Sequence, residues 1–142
     1  MKLESIVTSD QSSVVTIAKD ASIAEAVHLL SQHHIGALVV SSTTNSIEGI
    51  LSERDIVRSL DNSNQDTMSL CVHELMTADV ITCSMNSTVA ELMSLMTTKR
   101  IRHVPVVNEG QLCAVVSIGD LVSARLKELE LERQHIQDYI SG

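Results

Sequence analysis

The chain states one pattern twice, and this internal repeat constrains its fold more than any other feature. Val14-Val15-Thr16-Ile17 is answered by Val80-Ile81-Thr82-Cys83, and Ser22-Ile23-Ala24-Glu25 by Thr88-Val89-Ala90-Glu91. Ile35-Gly36-Ala37-Leu38 is answered at the same offset by Ile101-Arg102-His103-Val104. After one deletion in the second copy, Gly49-Ile50-Leu51-Ser52-Glu53-Arg54-Asp55-Ile56-Val57 returns as Ala114-Val115-Val116-Ser117-Ile118-Gly119-Asp120-Leu121-Val122. A half that cannot bury its apolar face alone buries it against its twin. The seam between two such halves is a natural place for paired clefts.

Each half carries the same order of signals. A short β-branched run (Val14 to Ile17; Val80 to Thr82) predicts a strand. Ser22 with Glu25, and Thr88 with Glu91, place a hydroxyl three residues before a carboxylate, the capping-box spacing. If Asp20 or Asn86 supplies the cap instead, the helix start moves by only two residues. Behind these caps Ile23, Ala26, Val27 and Leu30, and Val89, Leu92, Met93 and Met96, recur at helical spacing. Ala37 to Val40 with Ile47 to Leu51, and Val104 to Val107 with Leu112 to Val116, predict hairpins joined by Ser41 to Ser46 and by Asn108-Glu109-Gly110. A closing helix starts at Glu53 and again at Gly119 or Asp120. The order is β-α-β-β-α, twice. Pro105 sits near the start of its strand, a tolerated position.

Asp61 to Asp66 reads as a polar linker between the halves. Leu121 to Ile140 reads as one long helix. Its Val122, Leu126, Leu129, Arg133, Ile136 and Ile140 form a heptad stripe interrupted by the arginine. Such a helix either lies on its own domain or associates with a second copy.

Composition excludes several function classes. At 142 residues the chain can build one compact domain, but Tyr139 is its only aromatic residue, so the core must be aliphatic. Without aromatic faces there is no platform for base stacking, and a net charge of -8 opposes the phosphate contacts of duplex binding. Nucleic acid is excluded as the expected partner. Cys71, Cys83 and Cys113 are odd in number and lack CxxC spacing, which suggests neither a disulfide framework nor a zinc ribbon. Met1-Lys2-Leu3-Glu4 does not open a signal peptide, and no apolar run approaches the ~20 residues of a membrane span, so a soluble cytoplasmic protein is expected.

The repeated Ser-x-x-Asp is the candidate for chemistry. A buried strand there delivers a hydroxyl (Ser52, Ser117) and a carboxylate (Asp55, Asp120) to the first turn of a helix. A carboxylate so placed can accept from two vicinal hydroxyls, as on a ribose, and free N–H groups at the helix start favour an anion. The same spacing is also an ordinary capping box, and duplication leaves both readings open. No nucleophile–base constellation, Walker loop or paired-carboxylate site is present, so the chain reads as a non-enzyme. His28 and His33 lack metal-ligand spacing, and with His34 they read as surface or helix-end residues.

The pattern resembles a tandem pair of cystathionine-β-synthase (CBS) domains, here with no enzyme or transporter attached. The resemblance is carried by Gly49 to Val57, by Arg102-His103-Val104-Pro105-Val106-Val107 and by Val116 to Val122, with Glu74-Leu75-Met76-Thr77 resembling the family's lead-in. It covers roughly residues 5 to 123. It implies an α+β fold of two β-α-β-β-α repeats, at 5–62 and 71–125, packed with pseudo-twofold symmetry, and a helical extension at 126–142.

The resemblance also implies a regulatory module that binds AMP, ADP, ATP, NAD(H) or S-adenosylmethionine between the repeats. Such a module works as a homodimer on an unidentified protein target, or serves as a ligand-free interaction module. By resemblance, Asp55 and Asp120 hold ribose hydroxyls, while Ser52 and Ser117 contact ribose or phosphate. Val15, Thr16, Ile81 and Thr82 wall the adenine. Arg54, Arg102 and His103 are the expected phosphate contacts, whereas Lys99 and Arg100 are explained by a helix C-terminus that favours cations. Gly49 becomes Ala114 in the second copy; if the glycine serves close ligand approach or an unusual backbone angle, the second cleft is the narrower one.

Overall fold

Hydroxyl caps and β-branched runs set the elements of the first repeat. The computed structural model describes residues 1–7, 14–43, 46–62, 64 and 66–141. Strand β1 (Thr16–Ile17) leads to Ser22, whose Oγ accepts the Glu25 N–H at 3.1 Å and opens α1 (Ile23–His33). Strands β2 (Ala37–Val40) and β3 (Gly49–Ser52) form the hairpin, and α2 (Glu53–Leu60) closes the unit. A short helix, α3 (Val72–Leu75), leads into the second repeat. There β4 (Cys83–Ser84), α4 (Val89–Lys99), β5 (His103–Asn108), β6 (Gln111–Ser117) and α5 (Ile118–Ser141) repeat the order. Each repeat holds one three-stranded sheet, β1-β2-β3 or β4-β5-β6, with a parallel edge and an antiparallel hairpin. The connectors predicted at Ser41 to Ser46 and Asp61 to Asp66 include Thr44, Asn45, Ser63 and Gln65, which lie outside the described residues. Glu109 and Gly110 both take positive φ, at 52° and 76°, as a tight two-residue hairpin turn requires.

The first strand of each repeat is shorter than predicted, and in the second it is displaced. Only Thr16 and Ile17 pair, with Val39 and Val40. By the repeat offset Thr82 should pair with Pro105, which has no N–H to offer. Pairing therefore begins one residue later, at Cys83 opposite Val106. Pro105 is the third residue of β5, the middle strand, and stands just before the edge strand begins.

The two repeats exchange their lead-in segments. Leu3 N–H donates to Ser87 O at 2.9 Å and Val89 N–H to Met1 O at 2.9 Å, fastening the N-terminal segment onto the second repeat. In turn Ile23 N–H donates to Leu70 O and Val72 N–H to Ala21 O, both at 2.8 Å, fastening α3 onto the first. Leu3 is fully buried among Val89, Leu92, Met96, Val104 and Leu121. Val72 is equally buried among Ile23, Ala26, Leu38 and Leu51. There are thus two aliphatic cores, each completed by the other repeat's leader. Full burial of a leucine side chain contributes about 1.5–3 kcal/mol, so the exchange ties the halves together. All four residues of β2 are buried, so the sheet is covered on both faces.

Helix α5 buries Leu121 and Ala124 and then leaves the body of the protein: from Leu129 onward every described residue is exposed. Of the two readings of its stripe, a helix laid on its own domain describes only the first turns. Among the described residues, no helix is long and apolar enough to cross a membrane.

Candidate functional site

Two clefts open where the repeats meet, and each takes its motif from one repeat and its wall from the other. In the first, of about 150 Å³, Ser52 and Asp55 face Thr77, Val80 and Ile81 and the turn from Arg100 to His103. In the second, of about 510 Å³, Ser117 and Asp120 face Val14 and Val15 and the turn from His34 to Ala37. The turns correspond under the repeat, as do the walls. Ile81 lines the first cleft and Val15 the second. Thr16 and Thr82 do not line either one: Thr16 is occupied in the β1 ladder, and Thr82 lies exposed, past the wall.

The Ser-x-x-Asp units are capping boxes that leave an oxygen free. Ser52 N–H donates to Asp55 Oδ2 at 2.9 Å, the Ser52 hydroxyl donates to the same oxygen at 3.1 Å, and Asp55 N–H returns to Ser52 Oγ at 3.4 Å. In the other repeat Ser117 N–H donates to Asp120 Oδ2 at 3.0 Å and Asp120 N–H to Ser117 Oγ at 3.1 Å. The box uses one carboxylate oxygen in each case. Oδ1 remains available: Asp55 Oδ1 has only Arg58 Nη1 at 3.9 Å, and Asp120 Oδ1 has no partner among the described residues. Cap and ligand contact are therefore compatible, because a carboxylate has two acceptors.

The clefts share a wall and differ in charge. Glu53, Arg102 and His103 line both. The His103 ring lies against Gly36, where a Cβ would stand 3.1 Å from its Cε1 and Nε2. Burial pushes the His103 pKa below its ordinary value, Glu53 and Asp120 draw it back up, and Arg102 pushes it down. Burial thus disfavours the charged form of His103. Arg54 lines the first cleft only, and so do Arg58, which sequence reasoning passed over, and Arg100, which it assigned to a helix C-terminus. Aligning His34 with Arg100 would have exposed the second, since both end their helices in the left-handed region (φ 54° and 55°).

Gly49 takes no positive φ, and its neighbour is the lead-in of the second repeat. A Cβ there would stand 2.5 Å from Met76 Sδ and 3.0 Å from Thr77 O. The glycine admits the lead-in, which bridges β3 through Ile50 N–H to Thr77 O at 3.0 Å and Thr77 N–H to Ile50 O at 2.9 Å. The cleft beside Ala114 is the larger of the two, not the narrower. Among the described residues no three His, Cys, Asp or Glu side chains gather as a metal site.

Residues 4–62 and 72–127 match the CBS domain in two consecutive units. The chain belongs to the CBS-domain family. This CBS pair is 36% identical over 127 residues to the CBS domain-containing protein CBSX3, mitochondrial, of Arabidopsis thaliana, covering 87% of this chain and 62% of that one. A solved CBS-domain protein from Agrobacterium tumefaciens is similar at TM-score 0.75 and 43% identity, over 79% of this chain and 89% of that one. The CBS domain pair of protein MJ0100, solved with 5′-methylthioadenosine and S-adenosyl-L-methionine, shares the fold at TM-score 0.77 and 23% identity, over 90% of this chain and 98% of that one.

Proposed function

We propose that this CBS pair is a regulatory sensor, not an enzyme, that binds adenosine-containing ligands between its repeats. The observation that carries the reading is that the capping boxes of Asp55 and Asp120 use Oδ2 and leave Oδ1 out of the box, inside an inter-repeat cleft. A carboxylate acceptor at a helix N-terminus suits ribose hydroxyls. The aliphatic wall of Val80 and Ile81, or Val14 and Val15, offers adenine an apolar face. The adenosine compounds of the MJ0100 pair support the ligand class. AMP, ADP, ATP and NAD(H) are the candidates, and the output is to a protein target.

The test is a thermal-shift panel of these nucleotides. A ligand at 100 times its dissociation constant should stabilise the chain by about 2.7 kcal/mol. The shift should vanish in an Asp55→Ala, Asp120→Ala double variant. A panel without a shift, or one unchanged in the double variant, would sink the proposal.

A second reading, assembly without ligand, is favoured by the exposed α5 stripe of Val122, Leu126, Leu129, Ile136 and Ile140. It is compatible with the first, since a homodimer can also carry nucleotide sites.

A further inference from the structure

Four arginines of the first cleft have uncharged or histidine counterparts in the other repeat, while Glu53 and Asp79 correspond to Ile118 and Ser13 and offset part of that charge. Arg54 corresponds to Gly119, Arg58 to Ser123, Arg100 to His34 and Arg102 to Gly36. The four arginines line the first cleft together with three carboxylates, Glu53, Asp55 and Asp79. In the second, Arg102 alone, reaching across the shared wall, meets Glu53 and Asp120. The first cleft is net cationic and the second net anionic, inside a protein of net charge -8.

We propose that the cleft of Ser52 and Asp55 is the polyphosphate-selecting site, with Arg58 and Arg100 among its phosphate contacts, and that the cleft of Ser117 and Asp120 rejects phosphorylated ligands. The adenosine part of this assignment rests on the function proposed above; the charge division does not. Arg100 is the sharpest indicator. It occupies a left-handed helix terminus, where glycine is the ordinary residue because a Cβ is disfavoured there. Its counterpart His34 ends α1 in the same region, but Arg100 lines the first cleft whereas His34 lines the second. Room does not select the phosphates, since the more cationic cleft is the smaller. All four arginines are exposed. Their forked donors match phosphate oxygens.

The experiment is calorimetric titration of ADP and of adenosine into the wild-type chain and four variants. ADP should bind at one site per chain, lose that site in Asp55→Ala and keep it in Asp120→Ala. Arg58→Ser and Arg100→Gly should each weaken ADP about tenfold, the scale of one charged hydrogen bond, while leaving adenosine within about twofold. Thermal unfolding of Arg100→Gly, expected at or above wild type, verifies that its fold is kept. Two ADP sites per chain, loss of ADP in Asp120→Ala, or equal weakening of ADP and adenosine would overturn the assignment. So would adenosine binding that ADP does not exceed, and that result leaves the proposed function standing. If neither compound binds, the proposed function fails, and inorganic tripolyphosphate reads the charge division alone. Thermal protection lost in Arg58→Ser and Arg100→Gly upholds it, and no protection overturns it.

Discussion

His103 is one of three residues that line both clefts, and its surroundings make a pH prediction. Its ring packs on Gly36, with Glu53 and Asp120 as facing carboxylates and Arg102 as the neighbouring cation. Burial outweighs the carboxylates and holds its pKa below the ordinary 6.5. Between the folded and unfolded pKa values the unfolded chain binds more protons. Stability is therefore full above the ordinary histidine value and falls as pH drops through it toward the folded one. The unfolding midpoint should decline between about pH 7.5 and 5.5, and decline less in His103→Gln. Equal slopes in the two chains would remove His103 as the cause. Residue by residue, what was legible was what acts locally. Ser52 and Asp55, three apart, could be read as a cap; that the box spends Oδ2 and leaves Oδ1 toward a cleft could not. Gly49 was legible as constrained, but its constraint is Met76, a residue distant in sequence.

Among the elements, helices matched their signals more closely than edge strands did. Caps and periodicity act over a few residues, so α1 and α4 begin behind Ser22 and Thr88 as their spacing predicts. An edge strand depends on its partner, and β4 shifts because Pro105 cannot donate. The exchanged leaders were the least legible elements, since an apolar Leu3 or Val72 does not say which core receives it. That exchange predicts a long-range effect. Leu3→Ala should destabilise the chain by about 2–5 kcal/mol in chemical denaturation, the cost of emptying a buried leucine site, although Leu3 precedes the repeat it supports by some 80 residues. A loss below about 1 kcal/mol would mean that the N-terminal segment is not anchored in the second core.

For the whole molecule, the long helix sets the expectation. Leu126 is 62% exposed and Leu129 43%, while the only described ion pairs on α5 are Arg125 to Glu128 and Met1 N to Glu128. Apolar residues at heptad spacing on a projecting helix are covered when a second copy supplies the facing stripe. Sedimentation should show a dimer that becomes monomeric in a Leu126→Glu, Leu129→Glu variant. A wild-type monomer at micromolar concentration would refute self-association through α5.

The sequence by itself determined the repeat, from motifs recurring at one offset, the aliphatic core, from the near absence of aromatic residues, and the order of elements and the Ser-x-x-Asp boxes, from spacing within one or two helical turns. Only the tertiary structure decided which leader enters which core, that each box faces the other repeat's wall, and that four arginines converge on one cleft. Those outcomes depend on burial between segments far apart in the chain, where any apolar residue fits the pattern and only packing chooses its partner.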